Sequence, residues 1–599
     1  MSYRAFGYRA GINQPSVGIQ FQLQPPPAES LLTAITVLER YLDFLEIDNI
    51  HDRSSIVLPE LDLLYIKKIF SLFLVLNQHA NIPTFGEVLI TSLEVSGDGL
   101  IDIHAQIPAV DFYIEHEAKN LNTAINIFRV FFDNAQLIND RADLPIELVN
   151  FLKSKFSAPI GADISTIPIL RQAFLQRIPF RHIGYGIYQL GFCSARRFIS
   201  SSSLDSDSAI GAMVTNRKDM TCALLKLAGL PVPHHILVSD ISGAQSAVEN
   251  IGFPVVVKPA DKERSEGVSI NVINNDMLTL AFDRARALST NVLIEKNVLG
   301  KSYRLMVAAG KFLYAVERHP VSLVGDGVLT IKELWLKQSL LHYPNKLLNR
   351  YPFPDLNKET LGILNAYGFS LDTILKLGEL APLREIGSFE WGEQTIDVTH
   401  LVSPANIKAA EAAARVLGLL NAGIDLISTD IEKPWWETNA VINEVNFKPH
   451  FGGTSAAKQR MGQFLDSLFP QSPRVPVELY IGDNHALEKA IERYTETQEQ
   501  SLRFCLITED TVVFDGEEVD FNFPKKGLYQ KCISLLMDDR IDGLILAIQT
   551  DEFVTTGLPF DRISSIISVN KNLVSFNEKV PISPSALKNL HLLLVSHHI

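Results

Sequence analysis

The chain has 599 residues, 46% of them hydrophobic, with a formal net charge of −14 and a pI near 5.6. Such a length accommodates several domains, and such a hydrophobic content excludes disorder throughout. The acidic balance argues against a general nucleic-acid binder, although a local basic patch stays compatible with it. Four scattered cysteines (Cys193, Cys222, Cys505, Cys532) show no metal-ligand spacing, so buried free thiols in a reducing compartment are expected. The N-terminal stretch MSYRAFGYRAGINQPS lacks the apolar core of a signal peptide. The run LLYIKKIFSLFLVLN carries two lysines and is too short to span a bilayer. It reads as a buried helix, and the chain as a cytoplasmic protein with no membrane partner.

Residues 1–160 read as an N-terminal α/β domain. A helix is predicted over 31–45, strands over 87–96 and 100–110 around an SGDG turn, and a helix over 121–132. No chemical motif stands out; His104, Glu115 and His116 read as surface or packing residues. A Ser/Pro/Gly-rich linker is expected near 153–167. A helix over 216–227 places Lys218 in its first turn, where a solvated lysine is the simplest reading. The strand FPVVVKP buries Lys258, which needs a partner or ligand there, and a phosphate would serve. After the loop DKERSEG come a strand, a helix over 279–288, and three strands. Glu295 ends the first of these, Arg304 lies near the start of the second and Arg318 follows the third.

Residues 421–453 read as two apolar strands joined by a polar loop. Asp425 lies in the first, Glu444 and Asn446 in the second. Residues two apart on a strand share a face, so Glu444 and Asn446 point the same way, and Asp425 joins them if the strands pair. Two readings stand at this point. One is an oxygen cluster for a hard cation such as Mg²⁺, bound together with phosphates; the other is a hairpin with a solvated polar face.

The order of these pieces is distinctive. A lysine in a DxxT-type helix, AGxPVP, PVVVKP, a strand ending in Glu, YRxxV, an Arg before VGDGxxTIxEL, IDVT, AGID and INEVN follow one another. The ordered set resembles the ATP-grasp domain of cyanophycin synthetases over about 165–472. The resemblance implies a multidomain α/β (α+β) protein with a central ATP-grasp fold. It also implies an ATP-dependent carboxylate–amine ligase that works through an acylphosphate on a small amino-acid or peptide substrate, commonly as a homo-oligomer. Carried over by motif, Lys218, Lys258 and Gly267 would contact ATP phosphates. The segment Glu295, Lys296, Asn297, Val298 would hold adenine and ribose. Arg304 and Arg318 would be the catalytic cations, and Asp425, Glu444 and Asn446 would bind Mg²⁺.

Three stretches depart from the family. Its glycine-rich loop, similar to DGNQGKG, is here DKERSEG, with Glu266 in place of a lysine. The loop like NLSTGG before IDVT is SFEWGEQT at 388–395, and the turn after INEVN is FKPHFGG, with Lys448 and His450 where small residues are expected. These changes put the substrate in question. Residues 1–160 also lack the HxxEH-type signature of the family. Residues 475–599 resemble a degenerate Mur-ligase-like domain in which VPVELYIGDNHA replaces the P-loop, so neither the backbone cradle nor the phosphate lysine is present. Gln549 and Thr550 stand near a Glu-Thr of the family. The competing reading for that segment is an unrelated small α/β domain. For the whole chain the competing reading is a non-catalytic binding protein on the same fold.

Overall fold

A computed structural model describes residues 2–3, 7–25, 27, 31–36, 50–52, 54, 58–97, 99–110, 114–133, 151, 154–155, 163, 165–262, 266–341, 353–384, 393–519 and 527–599. The chain is mixed α/β and divides into two compact units. One combines Met1–Ser201 with Phe469–Ile599, and the other is Ser202–Leu468. The expected segments 1–160 and 475–599 therefore lie in one unit together with 161–201. The expected segment 165–472 contributes its residues from Ser202 to Leu468 to the other.

In the first unit, residues 1–133 build a five-stranded sheet ordered Ser2–Tyr3, Ser16–Leu23, Ile101–Pro108, Val88–Val95, Ile50–Asp52. The lysine-interrupted apolar run is the helix Glu60–His79, with Phe70, Leu72 and Phe73 fully buried and Phe70 edge-on to Phe21 of the sheet. Among the described residues no helix is long and apolar enough to cross a membrane. The helix expected over 31–45 is described only to residue 36, and most of the expected linker lies outside the described residues.

The same unit holds a six-stranded sheet ordered Glu517–Glu518, Val512–Phe514, Phe504–Ile507, Gly543–Ile548, Val477–Ile481, Ser565–Ser568. Its four last-named strands run parallel. The strand Gly543–Ile548 is buried along its whole length, which explains its unbroken apolar sequence GLILAI. The N-terminal arm joins this part: Tyr8 exchanges both backbone hydrogen bonds with Leu558, at 2.8 and 2.9 Å. All four cysteines are free and buried, as composition suggested.

Besides the two-stranded pair Ser322–Val324 and Leu380–Pro382, the described residues of the second unit build antiparallel sheets of four and five strands. The smaller is ordered His235–Val238, Val292–Lys296, Val255–Pro259, Ser269–Val272. Alternate residues Val255, Val257, Val292 and Ile294 pack on the helices Ile241–Ile251 and Asn275–Arg286. The larger is ordered Gln394–Asp397, Lys311–His319, Lys301–Ala308, Ala422–Ser428, Val441–Phe447. Tyr303, Leu305, Ile424 and Leu426 face Ala410, Ala413 and Ala414 of the helix Pro404–Val416. Each buried aliphatic side chain contributes about 1.5–3 kcal/mol. That burial pins the register and turns every other residue of both sheets to the opposite face.

Two boundaries differ from the sequence reading. The helix expected over 216–227 starts at Lys218, because Asn216 ends a separate helix, Ala209–Thr215. Arg318 lies within the strand Lys311–His319, which continues past the point where its apolar run stops.

Candidate active site

The face of the larger sheet turned from its helix carries the charged residues. Arg304 pairs across strands with Asp425, and Asp425 with Glu444. Arg304 Nε donates to Asp425 Oδ1, and its Nη2 donates to Oδ2 at 2.9 Å. Arg318 Nη1 donates to the same Oδ2 at 3.1 Å, and Asn446 Nδ2 approaches it at 3.5 Å. Burial opposes the charge on Asp425, yet Arg304 and then Arg318 hold its carboxyl below the usual carboxylate range. Gly423 lies beneath this cluster. A Cβ there would stand 3.0 Å from both Arg304 Cδ and Pro449 Cβ, so glycine lets the arginine lie flat on the strand.

The pairing slips between Asp425 and Leu426, which face Glu444 and Ile442. Asn443 is the extra residue of this bulge. Bulges re-aim side chains, and Asn443 Oδ1 accepts from Lys258 Nζ of the smaller sheet at 3.4 Å. Lys258 is buried and paired with Glu295 at 2.7 Å. Burial works against its ammonium, but the Glu295 carboxylate prevails and holds Lys258 above the ordinary lysine range. The other oxygen of that carboxylate, Oε1, is buried with no hydrogen-bond partner among the described residues. Lys218 Nζ reaches Glu444 Oε1 at 2.9 Å and the carbonyl of Lys262 at 2.7 Å.

Lys218 with Glu444, Lys258 with Glu295, and Arg304 and Arg318 with Asp425 and Asn446 thus form a polar network of three groups, held side by side through the paired strands Ala422–Ser428 and Val441–Phe447. The remaining expected residues stand apart from it. Lys296 faces the other side of its strand and donates to the carbonyls of Gly252 and Phe253 at 3.0 and 3.2 Å, closing the end of a helix. The N–H of Asn297 donates to Pro254, and its side chain accepts from Asn271 N. Val298 lies just beyond the strand. Gly267 has φ +70°, and a Cβ there would meet Leu288 Cδ1 at 2.8 Å, so both backbone conformation and packing call for glycine. Residues 263–265 and 388–392 of the two altered loops lie outside the described residues. In the altered turn, Lys448 takes a left-handed φ of 52° with its ammonium over the Phe447 ring, and Phe451 is buried against Tyr314 and Phe464.

Glu393 escaped the sequence reading. Its Oε2 accepts from Arg318 Nε at 3.0 Å and lies 2.8 Å from Nη2. Strand alternation carried the signal, since 393 shares a face with Thr395, the cross-strand partner of Arg318.

Asp425, Glu444 and Asn446 are hard oxygen donors at neighbouring positions, a set that suits Mg²⁺. Their carboxylates already hold cationic groups of the chain, so the face is built for positive charge. Among the described residues no three His, Cys, Asp or Glu side chains gather as a metal cage. Mg²⁺ does not require one, because it binds through one or two carboxylates plus phosphates.

In the first unit, the strand Val477–Ile481 leads through Gly482 into the helix Asn484–Glu499. Asp483 caps that helix. Its carboxylate accepts from His485 N at 3.0 Å, Asn570 Nδ2 at 2.9 Å and Asn572 Nδ2 at 3.0 Å. The Asn572 and Asn570 amides and the His485 N–H hold its carboxyl well below the usual range. An anionic side chain stands where a P-loop would offer its amides to phosphate.

Residues 224–321 match the family described as D-ala D-ala ligase C-terminus. The cyanophycin synthetase of Geminocystis herdmanii is 31% identical over 337 residues, which are 53% of this chain and 38% of that protein. The cyanophycin synthetase of Crocosphaera subtropica is 28% identical over 425 residues, 68% of this chain and 48% of that protein. A bifunctional glutathione synthetase from Pasteurella multocida superposes with a TM-score of 0.41 at 19% identity, covering 60% of this chain and 52% of that one. The chain is cyanophycin synthetase-like, and it spans less than half the length of these curated relatives.

Proposed function

We propose that the Ser202–Leu468 unit is an ATP-dependent carboxylate–amine ligase acting on an amino-acid or peptide substrate of the cyanophycin type or one related to it. The observation that carries this reading is the network itself. Lys218 from a helix and Lys258, Arg304 and Arg318 from the two sheets meet three carboxylates and an amide, at the positions where the ordered motifs of cyanophycin synthetase-like sequences fall. Clustered buried charges are costly without a charged ligand.

In such a reaction a substrate carboxylate oxygen attacks the γ-phosphorus of ATP and ADP leaves. An amine then attacks the acyl carbon and phosphate leaves, forming the amide. Positive charge and fixed geometry supply most of the catalysis. Lys218 and Lys258 would exchange Glu444 and Glu295 for nucleotide phosphates. The orphaned Glu295 Oε1 would accept from a nucleotide N–H or O–H donor. Glu444 and Asn446, with Asp425, would hold Mg²⁺, which supplies neutralisation of phosphate charge. Arg304 and Arg318 would steady the transferred phosphoryl group or the substrate carboxylate. Glu393, already seated on Arg318, marks where that carboxylate would lie.

Titration calorimetry with Mg-ATP tests this reading. Saturable binding is expected, and Lys258→Ala should weaken it at least about tenfold, since a charge-assisted phosphate contact is lost. Absence of binding to the unaltered chain would sink the proposal. The competing view, a non-catalytic binding protein, draws on one observation: every one of these four cations is already paired with a carboxylate of the chain. Binding of Mg-ATP without turnover on any substrate would favour it.

A further inference from the structure

The unit formed by Met1–Ser201 and Phe469–Ile599 contains a cavity of about 340 Å³, far in sequence from the clustered lysines and arginines. Its size falls in the small-molecule range of roughly 300–1,000 Å³. Three stretches enclose it: the N-terminal arm, the turn after the helix Thr166–Leu175, and the residues around Asp561 and His597.

The charges around it do not balance. Arg474 Nε lies 3.0 Å from both oxygens of Asp561, which occupies that carboxylate. Arg474 also donates to the carbonyl of Arg177. The guanidinium groups of Arg177 and Arg562, which line the cavity, have no carboxylate partner among the described residues. Burial and then the neighbouring Arg474 push Arg562 below the ordinary arginine range, against the opposing pull of the Asp561 carboxylate. His597 is spent on the carbonyls of Asp561 and Arg9, at 2.9 and 3.2 Å, and Gln14 on Pro83, Phe85 and Gly86. Ile12, Phe174 and Ile178 supply an apolar wall.

We infer that this cavity binds a small organic anion, with a carboxylate or phosphate head on Arg177 and Arg562 and a short apolar body against Ile12, Phe174 and Ile178. Unpaired guanidinium groups beside an apolar wall match that chemistry, because arginine forks bind planar and tetrahedral oxyanions in bidentate fashion.

The test is titration of the full chain with acetate, 4-methylpentanoate and inorganic phosphate. Lys258→Ala serves as a background in which the phosphate-type lysine of the other unit is lost. Saturable binding is expected to persist in Lys258→Ala and to weaken at least about tenfold in Arg562→Gln, which removes a charge-assisted contact. The exposed Arg177→Gln provides a second variant should Arg562→Gln fail to fold. Among the carboxylates, 4-methylpentanoate is expected to bind about tenfold more tightly than acetate through its buried apolar carbons. Binding of phosphate alone would assign the head group as phosphate. Binding of no probe, or binding unchanged in both arginine variants, would overturn the inference.

Discussion

At the scale of single residues, Asp425 has the most at stake. Two half-buried arginines share its carboxylate, so Asp425→Asn takes the counter-charge from Arg304 and leaves Arg318 with Glu393 alone. A loss of about 3–5 kcal/mol is expected in urea unfolding. The folded-state carboxyl titrates below its unfolded value of about 3.9, so its stabilisation is complete above that value. It is lost only as pH falls through the lower folded value, and Asp425→Asn should flatten that acid limb of the stability curve. Glu393→Gln makes the complementary test. It frees Arg318 for a substrate carboxylate and should lower KM while leaving kcat within about threefold, if Glu393 competes with substrate ground-state binding; an unchanged KM would show that Glu393 plays no part in substrate binding. The suspicion attached to Lys258 was legible, because a lysine inside FPVVVKP demands a partner. That its partner in this structure is Glu295 was not, since cross-strand neighbours come from pairing that no local pattern reveals.

At the scale of elements, apolar runs disclosed most strands of the two larger sheets of the second unit and the shared face of Glu444 and Asn446, but not the strands His235–Val238 and Gln394–Asp397. The bulge at Asn443 stayed hidden, because an inserted residue leaves the apolar period of each flank intact. That bulge keeps Ile442 in the core while presenting Glu444 to Lys218, and it turns Asn443 toward Lys258. Gly267, expected at a phosphate, is close-packed against Leu288 and Pro259, and Gly423 against Arg304 and Pro449. Gly423→Ala would press a methyl group onto Arg304 and Pro449. We expect about 1–3 kcal/mol of destabilisation, measured by thermal unfolding, with a larger fractional loss of nucleotide-dependent activity than of folded protein. Equal losses of both would show that Gly423 matters for folding alone.

At the scale of the molecule, the two units differ in their fitness for phosphate. The second gathers four cations from a helix and two sheets, whereas the first places the Asp483 carboxylate at the helix end where phosphate would dock. Calorimetry should therefore return one Mg-ATP per chain, and Asp483→Ala should not create a second site, since no P-loop lysine is present. A stoichiometry of two would contradict this division. Sequence order revealed the motif-bearing unit, but the joining of Met1–Ser201 with Phe469–Ile599 was not legible, because the contacts of Tyr8 and Arg9 with residues 554–558 span more than 500 positions. The central claim is that the network in the second unit activates a carboxylate at the expense of ATP. Its most direct measurement is ADP release by the full chain supplied with Mg-ATP and pools of amino acids and aspartate–arginine peptides. Substrate-dependent ADP release is expected, falling at least about a hundredfold in Glu444→Gln, whose metal contact would be weakened. No ADP release with any pool, or release unchanged in that variant, would contradict it.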